Sequence, residues 1–150
     1  WPVITKKLPT ILSESSKVRL VLSSNAEISD SDKVKKIPQS YMETQDYVAA
    51  SDLVVSKPGH SIISEATAYR VPLVLTLPTK HPEWESNLNR VVSEGLAKFI
   101  PFDEFETFSW LESIEELGEI LKDQSRNQLT WSGNGSLEIA SALIEEYDLK

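Results

Sequence analysis

Lys57-Pro58-Gly59-His60-Ser61, with Glu65 four residues further on, is the group in this chain whose types and spacing best suit a phosphorylated ligand. It follows the apolar run Leu53-Val54-Val55 and leads into Ile62-Ile63-Ser64-Glu65-Ala66, so a buried strand passes through Pro-Gly into a helix. In a parallel sheet such a junction lies at the carboxyl edge, where helix-start N–H groups and the helix dipole favour an anion. Pro58 disfavours helical geometry at Lys57, and Gly59 can take a backbone shape denied to other residues, which starts the helix near Ser61. Glu65 then shares a face with Ser61, within reach of vicinal hydroxyls such as those of a ribose. The competing reading is a plain strand–turn–helix connection with Glu65 solvated or stabilised by the dipole.

A second constellation, Thr79-Lys80-His81-Pro82-Glu83-Trp84-Glu85-Ser86-Asn87, follows the apolar run Leu73–Leu77 and occupies another carboxyl-edge loop. Its Lys80, His81, Glu83, Glu85 and Asn87 gather at a helix start and could contact a sugar or phosphate; an exposed loop with an acidic first turn is the alternative. His60 and His81 are the two histidines of the chain, on different loops and without a third defined ligand, so no metal site is expected. The chain has no nucleophile elbow, Walker sequence or Gly-x-Gly-x-x-Gly after a strand.

The elements that must position these residues read as an alternating series. Strands are predicted at Val18–Leu22, Val34–Ile37, Leu53–Ser56, Leu73–Leu77 and Lys98–Ile100, short and Val/Leu-rich as in strands covered on both faces. Helices are predicted near Ile4–Ser15, Tyr41–Ala50, Ser61–Arg70 and Glu83–Glu94. Thr107 is expected to cap a helix carrying Leu111, Ile114, Leu117 and Leu121. Ser136 is expected to cap another, with Ile139, Ala140, Leu143, Ile144 and Tyr147 as its buried stripe, and Asp123–Gly135 reads as a loop between them. This βαβ order implies an α/β, Rossmann-like, doubly wound parallel sheet. The series begins on a helix, so the first strand and its loop are expected upstream of Trp1, and the chain reads as part of a larger two-domain protein.

Composition narrows the partners. The 150 residues suffice for one domain with a core. Fifteen basic against 23 acidic residues give a net charge of −8, and no Lys/Arg stripe suits nucleic acid or anionic lipid. The absence of Cys fits a reducing, cytoplasmic setting. No apolar run approaches the roughly 20 residues of a membrane span.

The stretch Ala50–Ile100 resembles the carboxyl-terminal domain of GT-B glycosyltransferases of family 28, the group that includes the enzyme adding N-acetylglucosamine to a lipid-linked peptidoglycan precursor. The family pattern, roughly ADLVISKPGxxTxxEALxxGxPxVLxP followed by NAxxVxxxGxAxxI, meets ASDLVVSKPGHSIISEATAYRVPLVLTLP and then HPEWESNLNRVVSEGLAKFI here. The resemblance implies the donor-binding, carboxyl-terminal half of a GT-B fold. Glu65 would grip the donor ribose, and Gly59, His60 and Ser61 would line the diphosphate. Glu83, Trp84 and Asn87 would meet the transferred sugar, and the backbone at Ile37 and Pro38 would face the base. The substrate would be a nucleotide sugar such as a UDP-sugar, with no further cofactor.

The implied reaction is inverting displacement at the anomeric carbon, the leaving diphosphate held by helix-start N–H groups. The base belongs to the amino-terminal half of such enzymes, so no catalytic residue is assigned and the chain alone is expected to bind donor without turnover. An N-terminal acceptor domain or separate subunit is the implied partner. A lipid-linked acceptor would bring the whole enzyme to the inner membrane face. Three departures stand out: Trp84 replaces a usual Gln, Arg70 replaces a small residue, and the Gly-rich loop of the first strand lies outside the chain. Two other readings stay open, a noncatalytic module like the glycosyltransferase-like segments fused to some sugar kinases, and half of a UDP-sugar epimerase.

Overall fold

The computed structural model describes residues 18–107, 110–111, 114, 118–119 and 135–147. The expected helix Ile4–Ser15, Leu117 and Leu121, and nearly all of the loop Asp123–Gly135 lie outside these residues. The order is β1 (Leu20–Leu22), β2 (Val34–Lys36), α1 (Gln45–Ala49), β3 (Val54–Ser56), α2 (His60–Ala68), β4 (Leu73–Leu75), α3 (Pro82–Ser93), β5 (Ala97–Phe99), α4 (Phe102–Thr107) and α5 (Gly135–Tyr147).

Every strand pair is parallel. β1 pairs with β2, Leu20 opposite Val34. β4 lies between β3 and β5, with Ser56, Leu75 and Phe99 level at their carboxyl ends. The loops after β3, β4 and β5 therefore leave from one edge. The strands form two groups, β1-β2 and β3-β4-β5, and within the second the central position of β4 between β3 and β5 is that of consecutive βαβ units.

β4 shows why its sequence is apolar throughout. Leu73, Val74 and Leu75 are each at most 1% exposed. Side chains alternate across a strand, so Leu73 and Leu75 join Ile63, Ala66, Leu88, Val91 and Ala97 under α2 and α3. Val74 joins Val34, Ile100, Phe105, Trp110 and Leu111 on the other face. The second cluster also takes in Leu20, Leu22, Leu53 and Val55, so both strand groups share it. Trp110 stacks on Phe105 at 5.3 Å and its Nε1–H donates to the Phe105 carbonyl at 3.0 Å, which pairs the buried indole.

The structure differs from the sequence expectations in three places. Thr107 is the last residue of α4, a helix the sequence reading did not include, and its hydroxyl donates to the Glu104 carbonyl at 2.7 Å. Acidic Asp103 and Glu104 in the first turn, after Pro101, suit its start. The α5 stripe is not buried: Leu137, Ile139, Leu143, Ile144 and Tyr147 are all at least 45% exposed, and none belongs to either core cluster. Apolar periodicity marks a face that favours cover and does not supply the cover. The helix expected over Tyr41–Ala50 is also shorter, since Tyr41 forms a turn to the Pro38 carbonyl at 2.9 Å before α1 begins.

α2 and α3 end alike. The N–H groups of Arg70 and Val71 donate to the Thr67 and Ala66 carbonyls at 3.1 and 2.8 Å; those of Gly95 and Leu96 donate to Val92 and Val91 at 3.0 and 2.9 Å. This Schellman geometry requires a left-handed residue, and Arg70 at φ 57° and Gly95 at φ 70° supply it. The arginine adopts the conformation without a glycine's freedom. Arg70→Gly is expected to raise the unfolding free energy by about 1 kcal/mol, and Gly95→Ala to lower it comparably, both read from the urea midpoint at unchanged slope. Thr76, beyond β4, is fully buried and its hydroxyl has no hydrogen-bond partner among the described residues. Thr76→Val is expected to raise stability by about 1 kcal/mol by removing that stranded group, measured in the same titration.

Candidate functional site

Pro58 is buried at the exit of β3, while Lys57 is exposed and Gly59 half-buried. The Gly59 N–H turns back to the Lys57 carbonyl at 2.8 Å. Gly59 caps α2 with φ −74° and ψ 146°, an extended shape open to any residue, so the expectation of a glycine-specific conformation is corrected. A Cβ on Gly59 would meet no protein atom within 4 Å. Neither backbone shape nor neighbouring protein atoms require glycine there.

The first helical bond of α2 runs from the Ile63 N–H to the Gly59 carbonyl at 3.2 Å. The N–H groups of His60, Ser61 and Ile62 precede it and have no helical partner. No side chain caps this end, and no acidic residue lies in its first turn. His60 leans back toward Ser64, Nδ1 to Oγ at 3.5 Å, with the ring exposed. Glu65 is half-buried one turn in.

α3 begins beside this turn. His81 is its extended cap and Pro82 its first residue, a position that suits a fixed φ. This start also lacks a side-chain cap, but Glu83 and Glu85 already place negative charge in its first turn. The two helix starts therefore differ electrostatically, and only that of α2 is left without acidic side chains.

The α3 face at residues 81, 84 and 87 rests on the 57–59 turn. The His81 and Trp84 rings lie 4.9 Å apart at 31°. Lys57 Nζ sits 4.6 Å from the centre of the Trp84 ring, a cation–π contact. Asn87 Nδ2 donates to the Pro58 carbonyl at 3.1 Å. The geometry thus brings Gly59, His60, Ser61, Trp84 and Asn87 to one edge, with Glu65 and Glu83 on the helices that start there.

Ile37 and Pro38 lie at the carboxyl end of β2. The Ile37 N–H donates to the Leu22 carbonyl at 2.8 Å, and Pro38 has no N–H, so this step offers a ligand no main-chain donor. Beyond it, Tyr41 Oη donates to Asp46 Oδ2 at 2.6 Å and meets the Tyr47 ring edge-on at 5.2 Å. The bond to the Asp46 carboxylate raises the Tyr41 phenol above the usual tyrosine range. Sequence reasoning passed over the Lys57–Trp84 and Tyr41–Asp46 contacts. The five-residue spacing of Tyr41 and Asp46 is no helical signature, and nothing local links Lys57 to a residue in the next βα unit. Among the described residues no group of three His, Asp or Glu is placed to hold a metal, and no helix is long and apolar enough to cross a membrane.

A parallel sheet covered by helices on both faces, with an uncapped helix start at its carboxyl edge, is a Rossmann-like architecture. The fold matches part of a GT-B glycosyltransferase: a crystal structure described as the glycotransferase of kitacinnamycin matches 95% of this chain and 38% of its own, with a TM-score of 0.62 at 18% identity. The model of the glycosyltransferase family 28 C-terminal domain matches residues 13–142, and the chain belongs to that family. Similar proteins include an uncharacterized glycosyltransferase of Methanopyrus kandleri, 32% identical over 69 residues covering 46% of this chain and 20% of that protein. Another, from Methanosarcina mazei, is 27% identical over 107 residues covering 67% and 28%. The chain thus spans less than a third of these relatives.

Replacing Lys57 and Trp84 by Ala singly and together is expected to reveal a coupling of about 0.5 kcal/mol, measured as a double-mutant cycle in urea unfolding. Strict additivity would mean the contact contributes nothing.

Proposed function

We propose that this chain is the donor-binding half of an inverting glycosyltransferase and takes a nucleotide diphosphate sugar, with UDP as the nucleotide. The observation that carries the reading is the start of α2, three unpartnered N–H groups with no cap and no acidic side chain, at the carboxyl edge of a parallel sheet. The His60, Ser61 and Ile62 N–H groups receive the diphosphate. Gly59 supports this, because its missing side chain serves no contact within the protein and leaves room for a ligand to approach the main chain. Glu65 accepts the ribose hydroxyls, and Glu83 and Trp84 border the sugar.

In transfer, negative charge grows on the diphosphate as its bond to the anomeric carbon breaks. Fixed N–H groups meet that charge without reorganising, which lowers the barrier. The acceptor and the base that deprotonates it come from the remainder of a longer polypeptide or from a separate subunit. The chain alone binds donor and turns over nothing, and the enzyme works in the cytoplasm, at a membrane face only where its acceptor is lipid-linked.

Calorimetric titration with UDP and UDP-N-acetylglucosamine tests this. Saturable binding is expected, weakened about tenfold or more by Glu65→Ala, through loss of charge-assisted hydrogen bonds. Gly59→Ala is expected to weaken binding while leaving the urea midpoint in place. No saturation at millimolar nucleotide would overturn the proposal in favour of a noncatalytic module. With the longer polypeptide, recovery of an epimerised UDP-sugar instead of a transferred sugar would point to an epimerase.

A further inference from the structure

We infer that Asn87 is a positioning residue: its amide clamps the Pro58–Gly59 peptide and so aims the N–H groups at the start of α2. Its bearing on nucleotide binding rests on the donor-binding reading above; the clamp itself does not. This assigns Asn87 a different role from the sugar contact expected by resemblance.

The peptide unit joining Pro58 to Gly59 is held at both ends. Its N–H donates to the Lys57 carbonyl at 2.8 Å, and its carbonyl accepts from Asn87 Nδ2 at 3.1 Å. A carbonyl only accepts, so the amide nitrogen of Asn87 faces it. Two bonds on opposite sides of a rigid plane fix its rotation. The next residue, Gly59, carries the chain into α2 with ψ 146°, so the directions of the His60, Ser61 and Ile62 N–H groups follow from that plane. A turn bonded only to itself could rock about the Lys57 and Gly59 torsions; a bond to a helix 29 positions away prevents this.

The rest of the α3 face supports the same task. Trp84, one turn before Asn87, holds Lys57 by its ring, and His81, one turn earlier again, lies against Trp84. Consecutive residues of the turn thus meet consecutive turns of α3, Lys57 at Trp84 and Pro58 at Asn87. Leu88 and Val91 anchor the helix in the core beneath, so the clamp bears on a fixed element. With its own N–H spent on Lys57, Gly59 contributes no donor, which leaves binding to the three N–H groups that the clamp orients.

The test compares the full chain with Asn87→Leu, near in volume but without a donor, and Asn87→Ala, with Asn89→Ala on the exposed side of α3 as control. Amide hydrogen exchange at Gly59, read by NMR without ligand, is expected to quicken about tenfold in both Asn87 variants and to stay unchanged in the control. UDP affinity is expected to fall about tenfold while uridine affinity stays within about twofold, because only the phosphates meet the reoriented N–H groups. Unchanged Gly59 exchange in the Asn87 variants would overturn the clamp. So would an affinity loss for UDP-N-acetylglucosamine with none for UDP, which would make Asn87 a sugar contact, or an equal loss for UDP and uridine, which general loosening would give. Should the unmodified chain bind no UDP, the donor reading falls and Gly59 exchange alone decides the clamp.

Discussion

The central strand β4 is the constraint on which the rest of the structure depends. Three consecutive residues with no solvent on either side require helices above and below, and their register with β3 and β5 sets where all three strands stop. Because Ser56, Leu75 and Phe99 end level, the turns that follow are neighbours. A slip of one residue would move Val74 to the α2–α3 side and both leucines to the other, and it would also separate the turn at residues 57–59 from the start of α3. Packing and site geometry thus depend on the same register.

Electrostatics at the carboxyl edge runs against the chain as a whole. The molecule carries −8 overall, yet the start of α2 has no acidic residue in its first turn and has Lys57 beside it. Two adjacent helices, neither capped by a side chain, differ in that only the start of α3 carries acidic residues, Glu83 and Glu85. Local field, not net charge, decides where an anion is received.

Much of the fold could be read from the sequence because burial on both faces leaves a strong mark. The runs VRLVL, LVVS and LVLTL each contain an observed strand; LVLTL is covered on both faces, whereas Val21 in VRLVL is 47% exposed, so an apolar run marks the strand without guaranteeing its cover. Pro-Gly and Pro82 located the starts of α2 and α3 to within a residue. The helix α4 went unread because six residues are too few to show a helical period. The α5 face misled because periodicity carries no information about what lies opposite. In the site, residue types were legible and contacts were not. Asn87 could be placed on the right loop, but its partner Pro58 lies in the preceding βα unit, beyond any local pattern.

The matched ends of α2 and α3 have a consequence for how the chain tolerates change. Each helix hands over to its strand within a few residues through a fixed pair of hydrogen bonds, with Val71 and Leu96 buried immediately after the left-handed residue. The amino edge of β4 and β5 is therefore short, stiff and committed to the core, and the carboxyl edge holds the turns whose polar groups face outward. Changes at residues 69–72 and 94–97 therefore bear on how much folded protein accumulates, whereas at the opposite edge Gly59 has room for a side chain without disturbing a neighbour.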